Sequence, residues 1–453
     1  MSDPYEIIFY ADEIIISSAF KGFYAVIRYI IINTMMSEKK TRIGIAIGVV
    51  IGIAIGMAVF LVTKNIKIGI GVAIVLGGSM GAIFKLKKYP KLKWTLISIT
   101  SLLVILIVFG IWFVSLLPRE EMKERYRTLE TSSIDKIPYL YENVIPKRGK
   151  ILAVVTSSNT MGSSGKKTGY ELTELSRAYY VFKANGFEVD IASPLGGKSP
   201  VVIDGDDMGE FDFAFLNDSI AQYKTSHTIA MNDVVTDAYD AVFFVGGKGA
   251  MFDFPDNKAI QSIVRNYYQS GKVVGAVCHG PAALVNVTLD NGRSLLENKK
   301  VSGFTNKEEL LLIPDATSIF PFLLQDKLAA QGAQFNEGAM YLEKISHDKN
   351  LVTGQNPWST WLLAETMIQQ LGYTPKHRQI TGEENAVKVL QAYEKYGSEK
   401  AKKLIETMAS QENTQMSREF IASHSIIAAM QFDIGRFFSL IGLVSCAKNA
   451  VKN

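Results

Sequence analysis

Cys278 and His279 stand side by side at the end of an apolar run, Gly271-Lys-Val-Val-Gly-Ala-Val-Cys278, and Gly280-Pro281 follows them. Val273, Val274 and Val277 predict a buried strand that ends at the thiol, and Pro281 suits the first turn of a helix, where its missing N–H costs nothing. A strand–turn–helix of this kind lifts a thiol to the rim of a sheet. It also sets the thiol by the positive end of a helix, which favours thiolate. The plainer alternative is an inert buried cysteine beside a surface histidine. A cysteine nucleophile further needs an oxyanion site and a base held in place. The backbone N–H of His279 can face the same site as the thiol. The loop Gly246-Gly247-Lys248-Gly249 closes another apolar run, and its glycines leave backbone amides open to a developing negative charge. A charged partner for the imidazole must come from elsewhere in the chain.

Those two turns need elements to hold them. Strand candidates lie at 151–156, 189–192, 241–245, 273–277 and 300–304, alternating with helices at 171–185, 257–269, 326–331 and 359–370. Leu172, Leu175, Tyr179 and Phe182 share one face of the first helix, which Gly186 ends. Strands alternating with helices predict a parallel sheet covered on both faces, with ligands bound beyond the carboxyl ends of the strands. Cys278 and Gly247 both sit at such ends. Beyond residue 373 the pattern changes to a charged helical hairpin, 383–396 and 399–410, and one long, mostly apolar helix, 419–448. The C-terminal helix is expected on the enzyme domain, the membrane surface or residues 1–35.

The excess of hydrophobic residues, 48% of 453, lies near the N-terminus. Uncharged runs at 43–63, 68–84 and 94–117 have bilayer-spanning length. Glycines at 44, 48, 52 and 56 give the first run a face for close helix packing, which Gly77, Gly78 and Gly81 can meet. With no ionisable residue inside any run, a packed anchor is expected rather than a transport path. Residues 1–42 read as an amphipathic juxtamembrane segment, 43–117 as three membrane helices, 118–148 as a charged stalk, 149–374 as the catalytic domain and 375–453 as a helical extension. Lysines before the first run and between the second and third place the chain beyond Leu117 outside the cytoplasm; Arg119, Lys123, Arg125 and Arg127 argue the opposite. Two cysteines, Cys278 and Cys446, give neither a disulfide framework nor a zinc spacing. The net charge of +4 gives no support to nucleic-acid binding.

Six stretches in order carry a resemblance: Thr168-Gly-Tyr-Glu-Leu-Thr-Glu-Leu175, Ala192-Ser-Pro-Leu-Gly-Gly197, Asp240-Ala-Val-Phe-Phe-Val-Gly-Gly247, Ala276-Val-Cys-His-Gly-Pro281, Ser302-Gly-Phe-Thr-Asn-Lys-Glu-Glu309 and Thr353-Gly-Gln-Asn-Pro357. Residues 150–372 resemble the ThiJ/PfpI family of the class I glutamine amidotransferase-like superfamily, in the branch of heat-shock chaperones with glutathione-independent glyoxalase activity. The resemblance implies a flavodoxin-like fold, no cofactor and no metal. It puts the nucleophile on Cys278, its histidine on His279, a glutamate by the thiol on Glu174 and the acid behind the histidine on Glu309, with Glu308 the near miss. Oxyanion and substrate contacts fall on Gly247, Lys248 and His279. Relatives often have histidine where this chain has Lys248, so a positive charge at the rim would favour an anionic substrate or thiolate. Glu174 also has a plainer reading as an exposed first-turn glutamate, and Glu309 as a solvated charge at a helix start.

The leading expectation is a membrane-anchored enzyme acting on small aldehydes such as methylglyoxal, with membrane lipid and a second copy of the chain as further partners. The resemblance also implies chaperone or deglycase behaviour. The alternatives are a tethered redox sensor in which Cys278 is oxidised or a tethered binding module, a peptidase, or an amidotransferase. The last lacks the expected His-x-Glu pair: His347, His377 and His424 are followed by other residues.

Overall fold

A computed structural model of the chain describes residues 89–450, apart from 206, 412 and 413, together with 75, 76, 79 and 83. The expected surface helix in 1–42, the run at 43–63 and nearly all of the run at 68–84 lie outside the described residues. The chain divides between Leu117 and Pro118, and each part is described by itself. In the first, helix α1 (Pro90–Ser115) opens on a proline. Its stretch Trp94–Ser115 is uncharged and is the one helix among the described residues long and apolar enough to cross a membrane.

The second part is built on β1 (Gly149–Val154), α2 (Leu172–Ala184), β2 (Phe187–Ser193), α3 (Glu210–Asn217), β3 (Ile229–Ala230), β4 (Ala241–Phe244), α4 (Lys258–Ser270), β5 (Val273–Val277), α5 (Asn306–Leu312), β6 (Ile345–Asp348), β7 (Leu351–Gly354) and α6 (Thr360–Gln370). The strands form one sheet in the order β6-β7-β5-β4-β1-β2-β3. All neighbours are parallel except β6 and β7. This is a flavodoxin-like α/β fold. Its order reverses beside β1, and the turns after β4 and β5 stand on the carboxyl side, where such sheets bind ligands. All five residues of β5 are buried, as a continuous apolar run must be in a strand covered on both faces. Gly275 in its middle lets α6 come close: a Cβ there would lie 2.2 Å from the Met367 sulfur.

Four expectations are corrected. The chain after Cys278 forms a five-residue 3-10 turn, Gly280–Leu284, and no α-helix; proline at its second position suits either, so the sequence cue did not separate them. The strand expected at 300–304 shrinks to Lys300–Val301, paired with Gln334–Phe335 outside the main sheet. Its continuation turns its amides elsewhere, Ser302 N–H to Thr353 Oγ1 and Phe304 N–H to the Cys278 carbonyl. Residues 130–148 are no free stalk, because Ile137 and Tyr139 are buried in the core and Asn217 donates to the carbonyls of Glu130 and Ser132. The helix expected at 419–448 is two.

The extension comprises α7 (Gly382–Tyr396), α8 (Ser398–Ala409), α9 (Arg418–Met430) and α10 (Ile434–Ala450). Phe432, at φ 58°, breaks the last two, and Asp433 caps the second by accepting from Arg436 N–H. A capping box of Thr381 and Glu384 starts α7. Just before it, the buried Arg378 bonds both oxygens of Glu384 at 2.6 Å, approaches Glu365 of α6 at 3.3 Å and covers the Trp361 ring at 4.0 Å. This ionic seam joins the extension to the sheet domain.

Candidate active site

Strand β5 delivers Cys278 to the sheet rim in a left-handed backbone conformation, φ 58°, which a residue with a Cβ adopts only under strain. Two hydrogen bonds hold it there: its N–H donates to the Gly354 carbonyl and its carbonyl accepts from Phe304 N–H, both at 2.9 Å. The side chain turns toward His279, whose Nδ1 lies 3.3 Å from Sγ. On the other side of the ring, Nε2 lies 2.6 Å from Glu309 Oε2. Burial alone would raise the Glu309 carboxyl, but the facing histidine outweighs it and holds the group below the ordinary range. An ionised Glu309 accepts from Nε2–H and thereby assigns Nδ1 as the basic atom facing sulfur. Phe304 and Phe320 flank the imidazole at ring distances of 4.6 and 6.3 Å, fixing its plane.

Glu308, the neighbouring candidate, has a different task. It is the third residue of a capping box with Thr305, and its carboxylate also accepts from Tyr341 N–H, Gln355 and Asn356. It builds the turn, while Glu309 faces the histidine.

Glu174 is fully buried in the first turn of α2. Its Oε2 accepts from Gly246 N–H at 2.7 Å. Burial lifts its pKa to about 8, partly opposed by the Cys278 thiol and the Gly246 amide. The group is therefore neutral at pH 7. Burial, followed by Glu174, also pushes the Cys278 thiol well above its ordinary value. This reverses the sequence expectation of a thiolate favoured by a helix end: a 3-10 turn supplies little dipole, and a desolvating pocket with a carboxyl neighbour acts the other way.

Gly247 has φ 95°, and a Cβ on it would lie 2.3 Å from the Gly169 carbonyl. Only glycine fits where this loop crosses the start of α2. Neither the Gly247 nor the His279 N–H donates to another group among the described residues, which leaves both for a bound oxyanion. Lys248 is half-buried and makes no ion pair among the described residues. Its charge favours the ionised forms of Glu171, Glu174, Cys278 and Glu309. The structure thus gathers all six expected positions at one rim. Sequence reasoning missed Glu171, lifted to about 8 by burial and by Glu174, and the buried Arg177. Their spacing of three around Glu174 was the available signal. No cluster of His, Cys, Asp and Glu that could hold a metal occurs among the described residues.

Residues 166–370 match the model of the DJ-1/PfpI family, and the chain belongs to that family. It is 33% identical over 238 residues to glyoxalase 3 of Candida albicans, an alignment covering 48% of this chain and 97% of that protein. A glutathione-independent glyoxalase of Saccharomyces cerevisiae is 34% identical over 242 residues, covering 49% and 98%. Among solved structures, glyoxalase III from Candida albicans is similar at 29% identity and a TM-score of 0.45, covering 49% of this chain and 97% of that one.

Proposed function

We propose that the protein is an enzyme of the glyoxalase III type that converts a 2-oxoaldehyde such as methylglyoxal into a 2-hydroxy acid with Cys278 as nucleophile. The contact of Cys278 Sγ with an imidazole that Glu309 backs at 2.6 Å carries this reading, and relatives at 30–34% identity are glyoxalase 3 of Candida albicans and two glutathione-independent glyoxalases of yeasts. In the proposed sequence His279 takes the thiol proton as sulfur bonds to the aldehyde carbon, and the carbonyl oxygen is protonated to a hemithioacetal. The Gly247 and His279 amides bind that oxygen as its charge develops. C1 then loses its proton while the ketone oxygen gains one, giving an enediol, and C2 takes up a proton as the O1 hydroxyl gives up its own, with His279 or Glu174 carrying the transfers. The aldehyde carbon rises to the thioester level, the ketone falls to an alcohol, and no outside oxidant is needed. Water then cleaves the thioester, freeing the acid and the thiol.

Residues 149–374 form the catalytic domain in this reading and 375–453 an extension. Residues 43–117 anchor both in a membrane, as the apolar length of Trp94–Ser115 supports. Turnover of methylglyoxal by the full chain, and its loss in Cys278→Ser by a factor on the order of 10³ or more, tests the chemistry. Wild-type protein without turnover would sink it. Alkaline carbonate extraction of broken cells tests the anchor, and release into the supernatant would refute it.

A further inference from the structure

The family match ends at residue 370, yet the extension reaches the ground beneath the thiol. Arg177 lies one turn beyond Glu174 on α2 and is 2% exposed. Its Nη2 contacts the Asp207 carbonyl, Asp212 Oδ2 at 3.4 Å and Glu383 Oε2 at 3.3 Å. Asp212 is already engaged: its carboxylate accepts from Ser176 and from Gly209 N–H. A buried guanidinium cannot be left without a counter-charge, and the carboxylate with an oxygen to spare comes from Glu383, the second residue of α7. The other oxygen of Glu383 accepts from Trp358 Nε1 at 2.7 Å. Trp358 packs on Tyr341, ring centres 5.9 Å apart, and Tyr341 on Phe304, which lies tilted against His279. Tyr341 also donates through its hydroxyl to the Glu308 carbonyl at the start of α5.

We propose that Glu383, brought by the C-terminal extension, is a positioning residue of the active site that fixes Glu174 through Arg177 and the His279–Glu309 arm through Trp358. This rests on the reading of Cys278 as the reactive thiol. A single carboxylate then sets the distance between the two halves of the site, and the extension is part of the enzyme. Arg177 faces Asp207, Asp212 and Glu383, with Glu384 the weakest of its negative neighbours and itself neutralised by Arg378. It is therefore the loss of the Glu383 charge that leaves the positive charge of Arg177 less balanced. The carboxyl–thiol pair would then release its first proton at lower pH.

The test uses the full chain with Glu383→Gln, Glu383→Asp and Glu384→Gln. Glu384 serves as the matched control, because it lies on the same seam but pairs with Arg378. Two readouts are taken: the pH dependence of Cys278 alkylation by iodoacetamide, and kcat and KM for methylglyoxal. Alkylation needs no turnover, so it decides the proposal even if methylglyoxal is no substrate. Glu383→Gln is expected to lower the alkylation midpoint by about half a pH unit or more and to reduce kcat about tenfold with KM little changed. Glu383→Asp should recover part of both, and Glu384→Gln should lower the melting temperature while leaving the alkylation midpoint in place. Glu383→Gln with a wild-type alkylation profile and kcat, only melting lower as Glu384→Gln does, would overturn the proposal. Should Glu383→Gln fail to fold, Trp358→Phe, which keeps an aromatic ring but loses the indole N–H and the five-membered ring, takes its place: an unchanged kcat there refutes the second arm.

Discussion

At the start of α5 two adjacent glutamates differ only in what they face. Glu309 meets the imidazole edge, and Glu308 meets backbone and amide groups of the turn. Glu309→Gln keeps the shape and removes the charge that holds Nε2 protonated. It is expected to lower kcat by about 10²-fold, the scale of a lost acid–base element, with a smaller fall in melting temperature than Glu308→Gln. Glu308→Gln should do the reverse, costing about 1–3 kcal/mol through unmet buried hydrogen bonds while the folded fraction keeps its kcat. Thermal melts and steady-state kinetics on both proteins separate the roles. Cys278, His279 and Gly247 were legible in sequence because each announces a local backbone event. Glu174 was legible only through a motif, since a first-turn glutamate is ordinarily solvated and nothing local predicts its complete burial. The Arg177–Glu383 pair was not legible at all, because it joins residues far apart in the chain.

Turns, more than helices or strands, decide where the site groups lie. The loop after β4 crosses the start of α2 so closely that Gly247→Ala must both adopt φ 95° and move the Gly169 carbonyl. The strain alone is worth about 1–3 kcal/mol, and the displaced loop would shift the Gly246 amide away from Glu174. A fall in melting temperature together with loss of turnover is expected; a stable, active Gly247→Ala would show that the crossing is not required. Phe432 is the opposite case, 89% exposed at φ 58°, with no burial to offset its conformation. Phe432→Asn, which tolerates that region, should raise stability by about 1 kcal/mol, read from chemical denaturation. The α/β order was legible from alternating apolar runs. The break at Phe432 was hidden because its neighbours are apolar enough to continue a helix, and only Asp433 hinted at a new start.

The pH response of the whole fold stems from its buried carboxyls. Glu171 and Glu174, each lifted to about 8, and Glu343, lifted to about 7, all chiefly by burial, hold their protons in the folded state longer than in the unfolded chain. Their stabilising contribution is complete below about pH 4.5 and is lost as pH rises through the folded values, with a slope of at most about 1.4 kcal/mol per pH unit for each group. Glu309 and Glu384 have the opposite sign, held below the ordinary range by His279 and Arg378 despite burial, and their contribution is lost as pH falls below about 4.5. The melting temperature is therefore expected to peak near pH 5 and to fall toward pH 8. Glu174→Gln should flatten the alkaline side. A profile rising steadily to pH 8 would contradict the burial of these groups.

The four tryptophans of the chain are placed as optical reporters. Trp94 and Trp112 lie on α1, 66% and 44% exposed, while Trp361 is buried and Trp358 half-buried at the seam between the sheet domain and the extension. No tryptophan lies within a strand of the main sheet. Intrinsic emission therefore registers events at α1 and at the seam, and little of the main sheet. Entry of α1 into lipid would shift the first pair to the blue, and undocking of the extension would shift the second pair to the red, before any strand of the sheet has come apart.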